Sequence, residues 1–394
     1  MNVLIISNFA GFDKSIGSRR VNLIAQEFSR HGHEVSIARI SALPGKKDIV
    51  CNPANIYDVP VNCFTRFVAE NLSSEHRLKR SLARLLYAMG VIDHYIWSWL
   101  LISKFLLSLA RSKKIDLVIS SSPSFSCVFF GYLLKRRLGV RLVSDNRDWW
   151  SLGEYNVSKS IFLRYLRERV ERYIHKRSDL ITTISNSAAR WYLNRFQMES
   201  VGLLTGVTSE ERPPVSMKPG SVVYAGSLYG GKRRLDLLLE ALDCEDLKAK
   251  VNVILVGPER KEFKAFAGNF PNLDITVTGP VSKKEADNFT AGSQFSIILL
   301  GDGEFENQIV PGKFFELLAH RKPIVCVGPI SSEIGLLISK HKLGICTRCP
   351  IQIRAYIKAC FSGDLTVQSL VPQELLVRNT IGRLVHLMAT ESHG

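Results

Sequence analysis

Short apolar runs alternate along this chain with segments whose apolar residues recur every three to four positions. Val3–Ser7 is the first run, and Arg19–Arg30 after it has helical periodicity, with Ser18 placed to cap it. Gly32-His33-Glu34-Val35 turns into a second strand and completes a βαβ unit. Residues 41–115 are less regular, although His76–Gly90 and Tyr95–Ala110 read as helices. The alternation resumes with a strand at Asp116–Ser121, a helix at Phe125–Leu138 and a strand at Arg141–Ser144. A basic helix at Lys159–Arg177 follows, its spacing turning Phe162, Leu166, Val170 and Tyr173 inward, and then a strand within Ser178–Ser185.

Gly206–Gly220 is polar and Pro-rich and reads as a linker. A second series opens at Val222, runs into Gly226 and continues with the helix Leu235–Leu242. Strands at Val251–Gly257 and Ile275–Gly279, a helix at Lys284–Phe289 and a strand at Phe295–Leu300 come next. Past Pro311-Gly312 a short helix carries Phe314, Leu317 and Leu318 on one face, and the strand Ile324–Val327 follows at once. The pattern weakens after Ile345, and a last helix is expected from about Pro372 to Thr390. Two such series predict an α/β chain of two Rossmann-like domains, each with a parallel sheet. The division reads as residues 1–205, a linker 206–220, a second domain 221–371 and a closing helix within 372–394.

With 394 residues there is enough chain for two cores. A formal charge of +16 asks for an anionic partner. No zinc-finger, RRM or KH pattern supports nucleic acid, which leaves phosphorylated small molecules and anionic membrane surfaces. The eight cysteines are scattered, and Cys127 and Cys326 sit in apolar runs, as in a reducing compartment. Cys346 and Cys349 form one C-x-x-C without a second pair, so no metal is expected there. The opening residues lack a basic n-region, and the apolar window Val91–Ala110 contains Asp93, His94 and Lys104, a poor bilayer span. A cytoplasmic protein is expected.

Chemistry-bearing residues gather where strands end, the usual place for ligands in open α/β sheets. In Asp302–Gly328, Lys313 and Glu316 stand one helical turn apart. They are either an exposed ion pair or a cation and a carboxylate that grip phosphate and ribose. Gly226-Ser227-Leu228-Tyr229-Gly230-Gly231-Lys232-Arg233-Arg234 is either a basic turn or a loop whose backbone N–H groups and cations meet a phosphate. Asp145-Asn146-Arg147-Asp148-Trp149-Trp150 offers Asp148 either as a cleft carboxylate or as a partner of Arg147. His175, alone on its basic helix, reads as a surface residue and not as a base. There is no G-x-G-x-x-G.

PGKFFELLAHRKPIVCVG resembles the nucleotide-sugar signature of GT-B glycosyltransferases of family GT4, in its Lys-x-x-Glu form. The likeness extends to the GHEV turn, to Arg147-Asp148-Trp149-Trp150 as a form of the subgroup's RDLWP, to Ser178–Ser185 and to the glycine–lysine loop. It departs at Gln308, where the commoner signature has Glu, at Ser227, where an Arg is frequent, and at Arg321, where Gly is usual. It implies a GT-B fold, two Rossmann-like domains facing a cleft, with the C-terminal helix returning to the first. It further implies transfer of a sugar, with retention and without an obligatory metal or cofactor. The donor is a nucleoside-diphosphate sugar, and the acceptor a polysaccharide such as lipopolysaccharide, a lipid-linked sugar or another glycan.

By that resemblance Glu316 holds the ribose and Lys313 stands near phosphates or sugar, while Asp148, Lys232 and Glu316 form the catalytic set. Gly17, Gly226, Lys232, Arg233, Gly257, Gly279, Val281, Gln308, Pro311 and Gly312 complete the donor contacts, and Arg19 and Arg20 either assist or form an exposed pair. A sugar-nucleotide epimerase of the same fold and a non-catalytic nucleotide-sugar-binding subunit are the rival readings. The helix His76–Gly90 has Leu78, Leu82, Leu85, Leu86 and Met89 on one stripe and Arg77, Arg80 and Arg84 on another, with Trp97 and Trp99 beyond it. Two helices packed on the first domain, or a peripheral contact with an anionic membrane on its inner face, both fit that pattern.

Overall fold

The computed structural model describes residues 1–9, 16–42, 54–151, 160–208, 218–248, 250–363 and 371–390. The chain divides into two compact units, one of residues 1–205 with 377–394, the other of residues 206–376. Among its described residues the first contains seven parallel strands: β1 (Asn2–Ser7), β2 (Glu34–Ile40), β3 (Asn55–Val59), β4 (Leu117–Ser121), β5 (Arg141–Asn146), β6 (Leu180–Thr183) and β7 (Val201–Gly202). Their order is β3-β2-β1-β4-β5-β6-β7, so the chain reverses its direction of growth between β1 and β4. Strands buried on both faces read as unbroken apolar runs, and Val3 and Ile5 pack on one side of the sheet while Leu4 and Ile6 pack on the other.

Several elements differ from the sequence expectation, each for a local reason. The first helix runs Ile16–Arg30, so Ser18 is buried inside its first turn and is not its cap. Tyr95–Ala110 breaks into a 3-10 turn, His94–Ser98, capped by Asp93, and the helix Trp99–Ser112. The helix Ile161–His175 turns Arg167, Glu171, Ile174 and His175 inward, leaving Phe162 and Tyr173 exposed. Its spacing fits two faces, and the one with polar partners waiting inside is buried. Two 3-10 turns, Gln373–Leu375 and Val377–Asn379, precede the last helix, which therefore starts at Ile381 and not near Pro372. Leu384, Val385 and Met388 of that helix pack with Val21, Ile24 and Phe28. Of the segment read as a linker, residues 209–217 lie outside the described residues.

The second unit has β8 (Ser221–Ala225), β9 (Asn252–Val256) and β10 (Asp274–Gly279) paired in the order β10-β9-β8. The strands β11 (Ser296–Leu299), β12 (Ile324–Val327) and β13 (Gly344–Thr347) pair in that order, with β8 beside β11. Ser293 joins the two sets by accepting from Val223 N at 3.3 Å and donating to Ser221 O at 3.0 Å. One apolar core of Leu235, Leu239, Leu255, Ile297, Val325 and Ile353 serves both.

The charge most firmly fixed in the first unit is Arg20, expected near a ligand or at the surface and found buried instead. Its Nη2 donates to Asp145 Oδ1 at 2.7 Å, its Nε to Oδ2 at 3.0 Å and its Nη1 to Leu203 O at 2.7 Å. Ser121 Oγ and Thr182 Oγ1 donate to the same carboxylate at 2.9 and 2.7 Å. Burial alone would raise Asp145, yet the guanidinium and the hydroxyls hold it below the ordinary carboxylate value. Removing one partner leaves a buried charge alone, so Arg20→Met should cost ~3–5 kcal/mol in urea unfolding. A loss below ~1 kcal/mol would show that the pair does not hold the sheet edge and the first helix together.

Candidate active site

In the second unit three adjacent parallel strands end in glycine: Gly226 after β8, Gly257 after β9 and Gly279 within β10. Gly226 N donates to Val256 O at 2.9 Å and Gly257 N to Gly279 O at 3.2 Å, so the ladder carries on past the strand ends. A Cβ on Gly257 would lie 2.1 Å from Gly226 O, which excludes any side chain there. The result is a shelf of bare backbone at the carboxyl edge of the sheet. Val281, expected beside the base, is half-buried just beyond β10.

Two cations face Tyr224, a buried residue of β8. Lys313 Nζ lies 5.5 Å from the ring centroid, and Arg233 hydrogen-bonds the tyrosine. Burial lowers Lys313 to about 8, with the Arg233 charge adding to the depression and Glu316 opposing it. Arg233 stacks on Tyr229 at 4.4 Å and reaches Glu306 Oε2 at 3.8 Å. Lys232 is exposed on the loop, and Arg234 pairs with Asp236 at 2.7 Å on the surface. Of the three consecutive cations, Arg233 is the one turned inward.

The helix Gly312–Leu318 buries Phe314, Phe315, Leu317 and Leu318, which fixes Lys313 and Glu316 on its remaining side. Pro311 stands at its N-cap position, and Gln308 ends the preceding short helix, 3.5 Å from Glu304. Glu316 accepts from Lys283 Nζ at 2.8 Å, so it is no mere partner of Lys313 on an open surface. Lys283 had no signal in the sequence apart from its place in the capping box Ser282–Glu285.

Another residue without a sequence signal is Glu259. It accepts from Ser227 Oγ at 2.5 Å, Leu228 N at 2.6 Å and Tyr229 N at 3.0 Å. Some burial notwithstanding, these donors hold its carboxyl below the ordinary value. The backbone groups expected to meet a phosphate thus already hold a carboxylate. Ser227, which stands where the related signature has arginine, is part of that arrangement.

The first unit places Asp148 just past β5, half-buried, with its carboxyl raised by burial against the opposing pull of Arg147. Arg147 Nη1 donates to Gly17 O at 2.6 Å and its guanidinium lies 5.8 Å from the Phe9 ring, which ties Asp148's loop to the start of the first helix. A Cβ on Gly17 would meet Phe9 Cδ1 at 2.7 Å. Behind Asp148, Glu171 accepts from Ser151 Oγ at 2.6 Å and Tyr192 OH at 2.8 Å, and burial pushes it up to about 7. His175 is fully buried, not a surface residue, and burial lowers it to about 3, which keeps it neutral. A pocket of ≈ 840 Å³ beside β6, β7 and Arg383 is lined by none of the expected site residues. Among the described residues no three His, Cys, Asp or Glu side chains cluster as metal ligands.

Glu171 and His175 impose opposed pH dependences. Glu171 loses its proton near 4.5 when unfolded but near 7 when folded, so its contribution is full below 4.5 and is lost as pH rises to about 7. His175 takes a proton near 6.5 when unfolded but only near 3 when folded, so its contribution is full above 6.5 and is lost as pH falls. Glu171→Gln removes the first slope. Its melting temperature should climb more steeply than wild type between pH 4.5 and 6.5; equal slopes would refute the buried, protonated carboxyl.

Residues 17–201 match the family model of the glycosyl transferase 4-like domain. No curated relative matches the sequence. Among solved structures, a sucrose-phosphate synthase from Thermosynechococcus elongatus superposes with a TM-score of 0.67 at 11% identity, over 99% of each chain. A glycosyltransferase from Rickettsia africae gives 0.62 at 14%, over 100% of this chain and 99% of that one. A lipopolysaccharide outer core galactosyltransferase gives 0.60 at 10%, over 99% and 100%. Both Rossmann-like units thus follow the GT-B fold, and the chain is a glycosyltransferase whose residues 17–201 match a glycosyl transferase 4-like domain.

Proposed function

We propose that this glycosyltransferase moves a sugar, with retention of anomeric configuration, from a nucleoside-diphosphate donor to a surface polysaccharide or lipid-linked glycan. The observation that carries the reading is the constellation in the second unit: a glycine-ended shelf, two inward cations and Glu316 one turn from Lys313. A nucleoside suits the shelf, because backbone without side chains lets a flat base approach closely. Glu316 takes the ribose hydroxyls as a charged acceptor, exchanging Lys283 for them. As the glycosidic C–O bond breaks, the diphosphate gathers negative charge, and Arg233 and Lys313 face it, with Lys232 beside them on the loop. One well-placed donor of this kind typically contributes ~3 kcal/mol to the transition state.

Asp148 is the carboxylate that the first unit contributes on the acceptor side. Fixed cations also do the work of a divalent metal here, so chelators should leave turnover unchanged. The lipopolysaccharide-acting neighbour lends direction to the surface-glycan acceptor. Product analysis with and without a purified acceptor fraction separates transfer from epimerisation: transfer requires the acceptor, whereas an altered sugar nucleotide formed without it would overturn the proposal.

Two substitutions test the donor site. Glu316→Gln should weaken nucleotide-sugar binding by roughly tenfold or more, the worth of a charged hydrogen bond, and unchanged affinity by calorimetry would remove Glu316 from the site. Lys313 is the pH probe. Its ammonium loses a proton at about 8 in the free protein, so donor affinity should fall as pH rises past that value. Lys313→Met should bind weakly with no such fall; a wild-type profile flat from pH 7 to 9 would exclude a contact between Lys313 and the anion.

A further inference from the structure

The helix Arg77–Met89 packs against its own unit in an unusual way: the side it buries is not its apolar stripe. Ala83 is buried and Arg80, Leu86 and Tyr87 are half-buried, whereas Leu78 is 85% exposed, Leu82 47%, Leu85 57% and Met89 55%. Positions 78, 82, 85 and 89 recur at i, i+4, i+7 and i+11 and share one side, opposite Ala83. The helical rotation puts Arg77 and Arg84 on one flank of this stripe and Lys79 on the other, all three exposed, and the helix contains no acidic residue. An apolar stripe between cations and turned away from the domain is the pattern of a helix lying in a membrane interface.

The surface continues beyond that helix. Trp97 Nε1 donates to Leu86 O at 3.1 Å and ties the helix to the next turn, after which Trp99, Leu100 and Leu101 at the start of the helix Trp99–Ser112 are exposed. Only from Ile102 onward does that second helix bury its residues. Arg167 donates to Val91 O, which fixes the helix Ile161–His175 to the same corner, and at its start Ile161 and Phe162 are 77% and 71% exposed beside Arg164. No single described helix is long and apolar enough to cross a bilayer. The bent pair Arg77–Met89 and His94–Ser112 passes a composition test for a span, but Ile102, Leu106, Leu109 and Ala110 are committed to the domain core.

We propose that this corner of the first unit docks on an anionic lipid surface, Leu78, Leu82, Leu85 and Met89 entering the headgroup boundary and Arg77, Lys79 and Arg84 meeting the headgroups. Charge decides between occupants: a second copy would set its own cations against these, whereas an anionic bilayer complements them. The inference does not depend on which sugar or acceptor is used.

The test is sedimentation with phosphatidylglycerol and with phosphatidylcholine vesicles, at low and at high salt. Wild type should pellet with the anionic vesicles at low salt and be released as salt rises, with phosphatidylcholine retaining little. Arg77→Ala, Lys79→Ala and Arg84→Ala together should weaken binding roughly a hundredfold, about 1 kcal/mol for each cation near an anionic surface. Leu78→Ser with Leu85→Ser should weaken it without altering the salt dependence, and because both side chains are exposed the melting temperature should stay at the wild-type value. Wild type that stays in the supernatant at low salt overturns the proposal. So does binding equal to that of the leucine variant, or a dimer in light scattering that the leucine changes dissociate without any vesicle binding.

Discussion

The Arg20–Asp145 pair is the constraint on which the first unit depends. Asp145 sits inside β5, where a lone carboxylate would cost several kcal/mol to bury, and four groups from four places repair that cost: Arg20 of the first helix, Ser121 of β4, Thr182 of β6 and, through Arg20, the carbonyl of Leu203. The carboxylate therefore fixes strand ends on either side of it together with the helix in front. Arg147 makes the next link outward by donating to Gly17 O. Asp148, the other carboxylate of this run, is placed because its neighbours in sequence are already spent on structure.

The second unit builds its site from absence as much as from charge. At Gly257 a side chain would collide with backbone, and the same close approach of strand ends opens the shelf. Lys313 is then held against Tyr224 with its charge weakened by burial, and an incoming anion would restore it. Glu259 holds the Gly226–Gly231 loop in the shape an anion would ask for, although the anion there is its own. Ser227 completes that contact. An arginine there would be drawn to Glu259 instead of to a ligand, which gives the departure from the commoner signature a physical role.

The alternating architecture was legible because parallel strands buried on both sides must be apolar throughout, and Leu235–Leu242 and Phe125–Leu138 fall where the pattern puts them. Lys313 and Glu316 were singled out by the resemblance of PGKFFELL to a nucleotide-sugar signature, since their spacing alone fits an exposed ion pair as well. Lys283, Glu259 and Glu306 were not, because each reaches the site from a distant segment and local pattern has no access to such contacts. The helix Ile161–His175 shows the deeper limit. Its apolar stripe predicted the inward side, yet Glu171 and His175 are inside, since Ser151, Tyr192 and Asn146 offer them hydrogen bonds that solvent-facing phenyl and phenol rings do not need.

That inversion also changes how the net charge is read. Asp93, Asp145 and Glu171 are buried in the first unit and satisfied there: Asp93 by Tyr95 N and Ser126 N, Asp145 by Arg20, and Glu171 by a proton below about pH 7. Among these only Asp145 withdraws a cation with it. Arg20, Arg39 and Arg167 are buried as well, so the interior takes up charges of both signs, while Arg77, Lys79, Arg84 and Arg164 stay outside. The leucines exposed between those cations follow from the same economy of packing. The helix Arg77–Met89 uses its small and amphipathic side, Ala83 with Tyr87, against the domain, and that choice leaves its apolar stripe for whatever lies outside.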